Sequence, residues 1–87
     1  MTSENEPVNS LDQLLKFLGR LQAARIAHRL DCVRDAIMVI VPAPSRYYEI
    51  EFFSDGHIES QVFGPPSDVT RFNLDEITEA VIRDVNG

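Results

Sequence analysis

The sequence predicts an α+β fold in a single domain: helix, four-stranded antiparallel meander, helix. Three observations predict it. Leucines recur at helical spacing from Leu11 to Leu21, short apolar segments broken by turn residues fill positions 25–63, and a second amphipathic segment follows Asn73. The chain has 87 residues, 44% hydrophobic and 25% charged, an ordinary balance for a globular domain.

Residues 1–9 are polar and contain Pro7, which predicts a flexible leader ahead of one domain over 10–87. Ser10 with Gln13 three positions later fits a capping box, in which each side chain satisfies a backbone donor of the first helical turn. Leu11, Leu14, Leu15, Leu18 and Leu21 then form one apolar stripe, expected to lie in the core. Beyond Ala24 the helical template fails, because Gln22, Arg25 and Arg29 would fall on the leucine face. A period of two fits instead: Ile26, His28, Leu30 and Cys32 alternate with Ala27, Arg29 and Asp31, so a strand is expected from about Arg25. One long helix to Leu30 is the competing pattern.

Arg34-Asp35 breaks the chain, and Ala36–Val41 is apolar at every position and rich in β-branched residues, the pattern of a central strand covered on both faces. Pro42 and Pro44 end it, since neither can donate to a ladder. Arg46–Phe53 and His57–Phe63 flank Ser54-Asp55-Gly56, a hairpin signal. A two-residue turn at Asp55-Gly56 would mix apolar and charged residues on both faces. A three-residue loop with Gly56 left-handed sets Phe52 against Ile58, Ile50 against Ser60 and Tyr48 against Val62, leaving one face apolar. After the Gly64-Pro65-Pro66-Ser67-Asp68 loop, Asn73 and Glu76 fit a second capping box, and Leu74, Ile77, Val81 and Val85 mark one face of the closing helix.

The favoured register places Tyr47, Glu49, Glu51, Phe53, His57, Glu59, Gln61 and Phe63 on the other face, with Glu51 directly opposite Glu59. Opposed like charges disfavour pairing, so this pair calls for solvent, a neighbouring arginine such as Arg29 or Arg46, or a basic partner. Tyr47, Glu49, Glu51, Phe53, Asp55, His57, Glu59 and Phe63 are accordingly the candidate partner-binding residues, aromatic anchors around an acidic surface. Charge is distributed in the same sense: residues 16–46 carry six cations against Asp31 and Asp35, and residues 47–87 carry nine acids against Arg71 and Arg83, within a net charge of -6.

Other function classes find little support. The longest apolar run, Ala36–Val41, is far short of the about 20 residues of a spanning helix, so no membrane partner is expected. Cys32 is the sole cysteine, which rules out an intramolecular disulfide, and the first residues lack a signal peptide's basic and apolar regions; a cytoplasmic protein is expected. His28 and Cys32 stand four apart, a spacing that reads as a small core pair, and no zinc site of known spacing can be written, so neither metal nor cofactor is assigned. Carboxylates with His57 could divide acid and base roles, but on an open sheet face they lack a pocket that excludes water, and no nucleophile, P-loop or dinucleotide motif is present. No catalytic residue is assigned and a non-enzyme is expected. The closing helix bears Asp75, Glu76, Glu79 and Asp84 against Arg83, the wrong charge for phosphate, so nucleic acid is not expected as a partner.

The run Arg25–Val39, followed by Tyr48–Glu59 with its Glu-Phe-Phe-Ser-Asp-Gly hairpin, resembles a group of small uncharacterised bacterial α+β proteins and is similar, more loosely, to the acidic immunity proteins that neutralise bacterial toxins. What the second resemblance implies is an inhibitor that covers a cationic toxin face with carboxylates. The expected function is a non-catalytic protein-binding module with a basic partner. The alternative is a homo-oligomeric structural or regulatory module in which the positive first half of one copy meets the negative second half of another and the apolar surplus of the sheet is buried in the dimer.

Overall fold

A computed structural model describes residues 10–64 and 73–86. Helix α1 (Ser10–Ala23) leads into strands β1 (Arg29–Val33), β2 (Ala36–Pro42), β3 (Tyr47–Phe53) and β4 (Ile58–Phe63), and helix α2 (Leu74–Asn86) closes the domain. The four strands form one antiparallel sheet in the order β1-β2-β3-β4, the meander the sequence predicts. No described helix is long and apolar enough to cross a membrane. The leader and the Pro65–Asp68 part of the loop lie outside the described residues.

Both helices pack on one face of the sheet. Leu14, Phe17 and Leu21 of α1 and Ile77 and Val81 of α2 meet Val39, Val41, Tyr48, Ile50, Phe52 and Val62, and Ile26 joins this cluster from the turn after α1. Phe17 lies against Phe52 with ring centroids 5.6 Å apart. Each such fully buried side chain contributes about 1.5–3 kcal/mol, the dominant favourable term in a domain this small.

The stripe on α1 differs from expectation. Phe17 is core, whereas Leu11 and Leu15 remain 61% and 56% exposed. At about 100° per residue they lie on the flank of the Leu14-Phe17-Leu21 face, beyond the reach of the sheet. The N-terminal capping box is also absent: the Ser10 hydroxyl donates to the Phe53 carbonyl, so it anchors the helix to the sheet in place of Gln13.

The helix ends where expected, at Ala23, but β1 starts at Arg29 and not near Arg25. The intervening residues terminate the helix. The Ile26 N–H donates to the Leu21 carbonyl and the Arg25 N–H to the Gln22 carbonyl, with Arg25 at φ 59°, which together make a Schellman motif. Leu21 and Ile26, the pair that should touch in this motif, are both buried.

The central position of β2 is as expected, but its cover is not: the helices lie on one face alone, and no described element lies over Met38 and Ile40. Ile40 is nonetheless 5% exposed, with Arg29 and Glu49 directly opposite it on either side. At the other end of the domain, the capping box on α2 is formed. The Glu76 N–H donates to Asn73 Oδ1 at 2.8 Å and the Asn73 N–H to Glu76 Oε1 at 3.0 Å. Further along α2, Asp84 accepts hydrogen bonds from the Ser45 and Tyr48 hydroxyls at 2.6 and 3.1 Å, tying the last turn to the start of β3. Burial, then the Asp84 carboxylate beside it, push the Tyr48 hydroxyl above the usual tyrosine range, and Arg46 acts in the opposite sense.

Candidate partner-binding face

The β3–β4 hairpin fixes the candidate site. Its ladder pairs Phe52 with Ile58, Ile50 with Ser60 and Tyr48 with Val62, the register of a three-residue loop. The Phe53 N–H donates to the His57 carbonyl and the Gly56 N–H to the Phe53 carbonyl, with Gly56 at φ 97°, a conformation open to glycine and strained for other residues. A side chain's period along a strand is two, so this register sends Tyr47, Glu49, Glu51 and Phe53 with Glu59, Gln61 and Phe63 to the face opposite the helices.

Four rows cross that face. Pro42, Tyr47 and Phe63 form the first, and the Tyr47 and Phe63 rings meet edge to face with centroids 6.0 Å apart. Arg29, Ile40, Glu49 and Gln61 form the second, and Asp31, Met38, Glu51 and Glu59 the third. Val33, Ala36 and Phe53 form the fourth, where the His57 ring stacks on Phe53 at 4.2 Å and 9°. The acids thus lie in a central band with an aromatic pair at each end.

All eight candidate residues are at this face or its rim. Glu51 stands opposite Glu59, and the relief comes from neither Arg29 nor Arg46 among the described ion pairs, but from His57. His57 Nδ1 is 2.6 Å from Asp55 Oδ1 and its Nε2 3.2 Å from Glu59 Oε2, so the imidazole bridges two carboxylates. The hydrogen bond to Asp55 holds the imidazole above its ordinary value; partial loss of solvent, the next largest influence, opposes it, and the hydrogen bond to Glu59 adds to the rise. Asp55, which also accepts from the His57 backbone N–H at 3.0 Å, is held below the usual carboxylate range by these contacts.

Sequence reasoning missed two features. The bridging role of His57 could have been found in the Asp55-Gly56-His57-Ile58-Glu59 spacing, since a residue just past a turn can reach acids two positions to either side. The contribution of Arg29, Asp31, Met38 and Ile40 to the same face was legible too, because a two-residue turn at Arg34-Asp35 forces Val33 to pair with Ala36 and so Asp31 with Met38. Lys16 and Arg20 are committed elsewhere, to Asp12 at 3.3 Å and to Glu79 of α2 at 3.0 Å.

Chemically, the face can accept hydrogen bonds and attract cations. Among the described residues no group of three His, Cys, Asp or Glu is placed to hold a metal ion. No protein-family model, curated protein or solved structure matches the chain.

Proposed function

We propose that the protein is a non-catalytic binding module that presents this acidic, aromatic-flanked sheet face to a basic surface on another protein. One observation carries the reading: Tyr47, Glu49, Glu51, Phe53, Glu59 and Phe63 share a sheet face over which no described element packs. A face left to solvent for no purpose would be expected to separate like charges. Here Glu51 and Glu59 are opposed with His57 bridging from Glu59 alone, so a cationic partner would gain from the Glu51 carboxylate. The aromatic pairs at either end supply large, rigid contact area that excludes water around the charges. Toxin neutralisation in the cytoplasm is the most concrete form of the proposal, with the carboxylates covering a cationic toxin surface.

The test is the association rate of a captured basic partner with the wild-type chain and with a Glu51→Gln/Glu59→Gln variant. The wild-type rate is expected to fall steeply between about 50 and 500 mM salt, as charge screening shortens the reach of the face. The variant is expected to associate several-fold more slowly at low salt and to remain folded. Unchanged rates in the variant would sink the proposal.

A further inference from the structure

Strand β1 is an edge of the sheet, and four of its five residues are exposed. Leu30 and Cys32 stand opposite Val39 and Ile37 and therefore point to the helix side, yet Leu30 is 54% exposed because α1 does not reach over it. Leu11, Leu15 and Leu30 are three of the four exposed large hydrophobics among the described residues. On α1 the leucines flank the buried face on the side away from Lys16 and Arg20. Arg20 reaches α2, so the leucine flank looks toward β1. Leu11 lines an open pocket of about 300 Å³ together with Cys32 and Ile37. Leu15 lies one turn further along the same flank, about 6 Å along the axis. The edge thus carries exposed apolar side chains, and its outer backbone groups face no described strand.

We propose that β1 pairs antiparallel with β1 of a second copy of this chain, about a two-fold axis at Leu30. The direction of the backbone groups allows it. The two-residue turn makes Val33 and Ala36 a hydrogen-bonded pair, so Val33, Asp31 and Arg29 bond to β2 while the N–H and C=O of Leu30 and Cys32 point to the open edge. Symmetric pairing on those groups can centre on Leu30, Asp31 or Cys32. Centred on Asp31, two carboxylates are opposed; centred on Cys32, Asp31 faces Val33 and gains no cation. Centred on Leu30, Arg29 of each copy faces Asp31 of the other, and the two Leu30 side chains meet on the helix side between the two α1 flanks. This strand is self-complementary in charge only in that register, and the same register covers the exposed Leu30 with its own counterpart, which is what selects a second copy over an unrelated strand. The contact is two-fold and edge to edge, unlike a head-to-tail meeting of a positive half with a negative half. It is independent of what the acidic face binds.

Sedimentation equilibrium of the full chain between about 1 and about 100 µM is expected to show a species of twice the 9.8 kDa chain mass. Leu30→Lys, at an exposed position, is expected to raise the dissociation constant about tenfold or more with an unchanged circular dichroism spectrum. Arg29→Asp is expected to weaken the dimer, and Arg29→Asp with Asp31→Arg to restore it. Under copper-phenanthroline oxidation, a Leu30→Cys/Cys32→Ser variant is expected to form a disulfide-linked dimer and the wild-type chain, whose Cys32 faces His28 of the other copy, is not. A chain that stays monomeric overturns the proposal, including one whose edge takes up an extended peptide. So does a dimer indifferent to Leu30→Lys, or one cross-linked through Cys32 in place of Leu30→Cys.

Discussion

At φ 59° and 57°, Arg25 and Arg34 occupy left-handed backbone space that costs a residue with a Cβ roughly 1 kcal/mol. Each is held there by a turn: Arg25 by the Schellman hydrogen bonds that end α1, Arg34 by the tight β1–β2 reversal. Neither guanidinium has a described ion pair to lose, so Arg25→Gly is expected to raise stability by about 0.5–1 kcal/mol in urea unfolding, and Arg25→Val to lower it. A second residue-scale prediction concerns His57. Its imidazole is held above the ordinary 6.5, so the bridge contributes fully below that pH and is lost as pH rises through the folded-state value. Asp55 is held below 3.8, so its share is present above that pH and is lost as pH falls through its own lowered value. The cluster therefore supports the hairpin most between these limits. In an NMR titration, Asp55→Asn is expected to lower the His57 midpoint more than Glu59→Gln does, since the shorter contact is to Asp55; the reverse order would mean that Glu59 dominates.

Among the elements, the two helices are anchored by different means. Helix α2 carries its own N-terminal signal, and both reciprocal hydrogen bonds of the Asn73–Glu76 box are made, so Asn73→Ala is expected to cost about 1 kcal/mol in denaturant unfolding. Helix α1 begins with a hydroxyl spent on the Phe53 carbonyl, a tertiary contact that no local pattern can announce. The same distinction explains what was legible in the sequence. The hairpin register was readable, because loop length and a left-handed Gly56 fix it locally, and with it the shared face of Glu51 and Glu59. The exposure of Leu11, Leu15 and Leu30 was not, because it depends on where α1 rests across the sheet, and spacing alone cannot tell a helix's centre line from its flank. The start of β1 was misplaced because Ile26 keeps the apolar alternation of a strand while serving as the hydrophobic partner of a helix stop.

On the scale of the whole molecule, the sheet separates two chemistries. One side holds the helices and the buried cluster, and the other carries Asp31, Glu49, Glu51 and Glu59 with Arg29 and His57 among them. The axis inferred at Leu30 stands perpendicular to the sheet, so two copies would keep their helices on one side and join their acidic bands on the other, offering a repetitive basic partner two points of attachment in place of one. The order of strands has a consequence for folding kinetics as well. Every strand pairs with its immediate neighbours along the chain, so each loop that must close is short and its entropic cost small. Hairpins can therefore zip up one after another from β1 to β4, each on a ladder its predecessor has already formed.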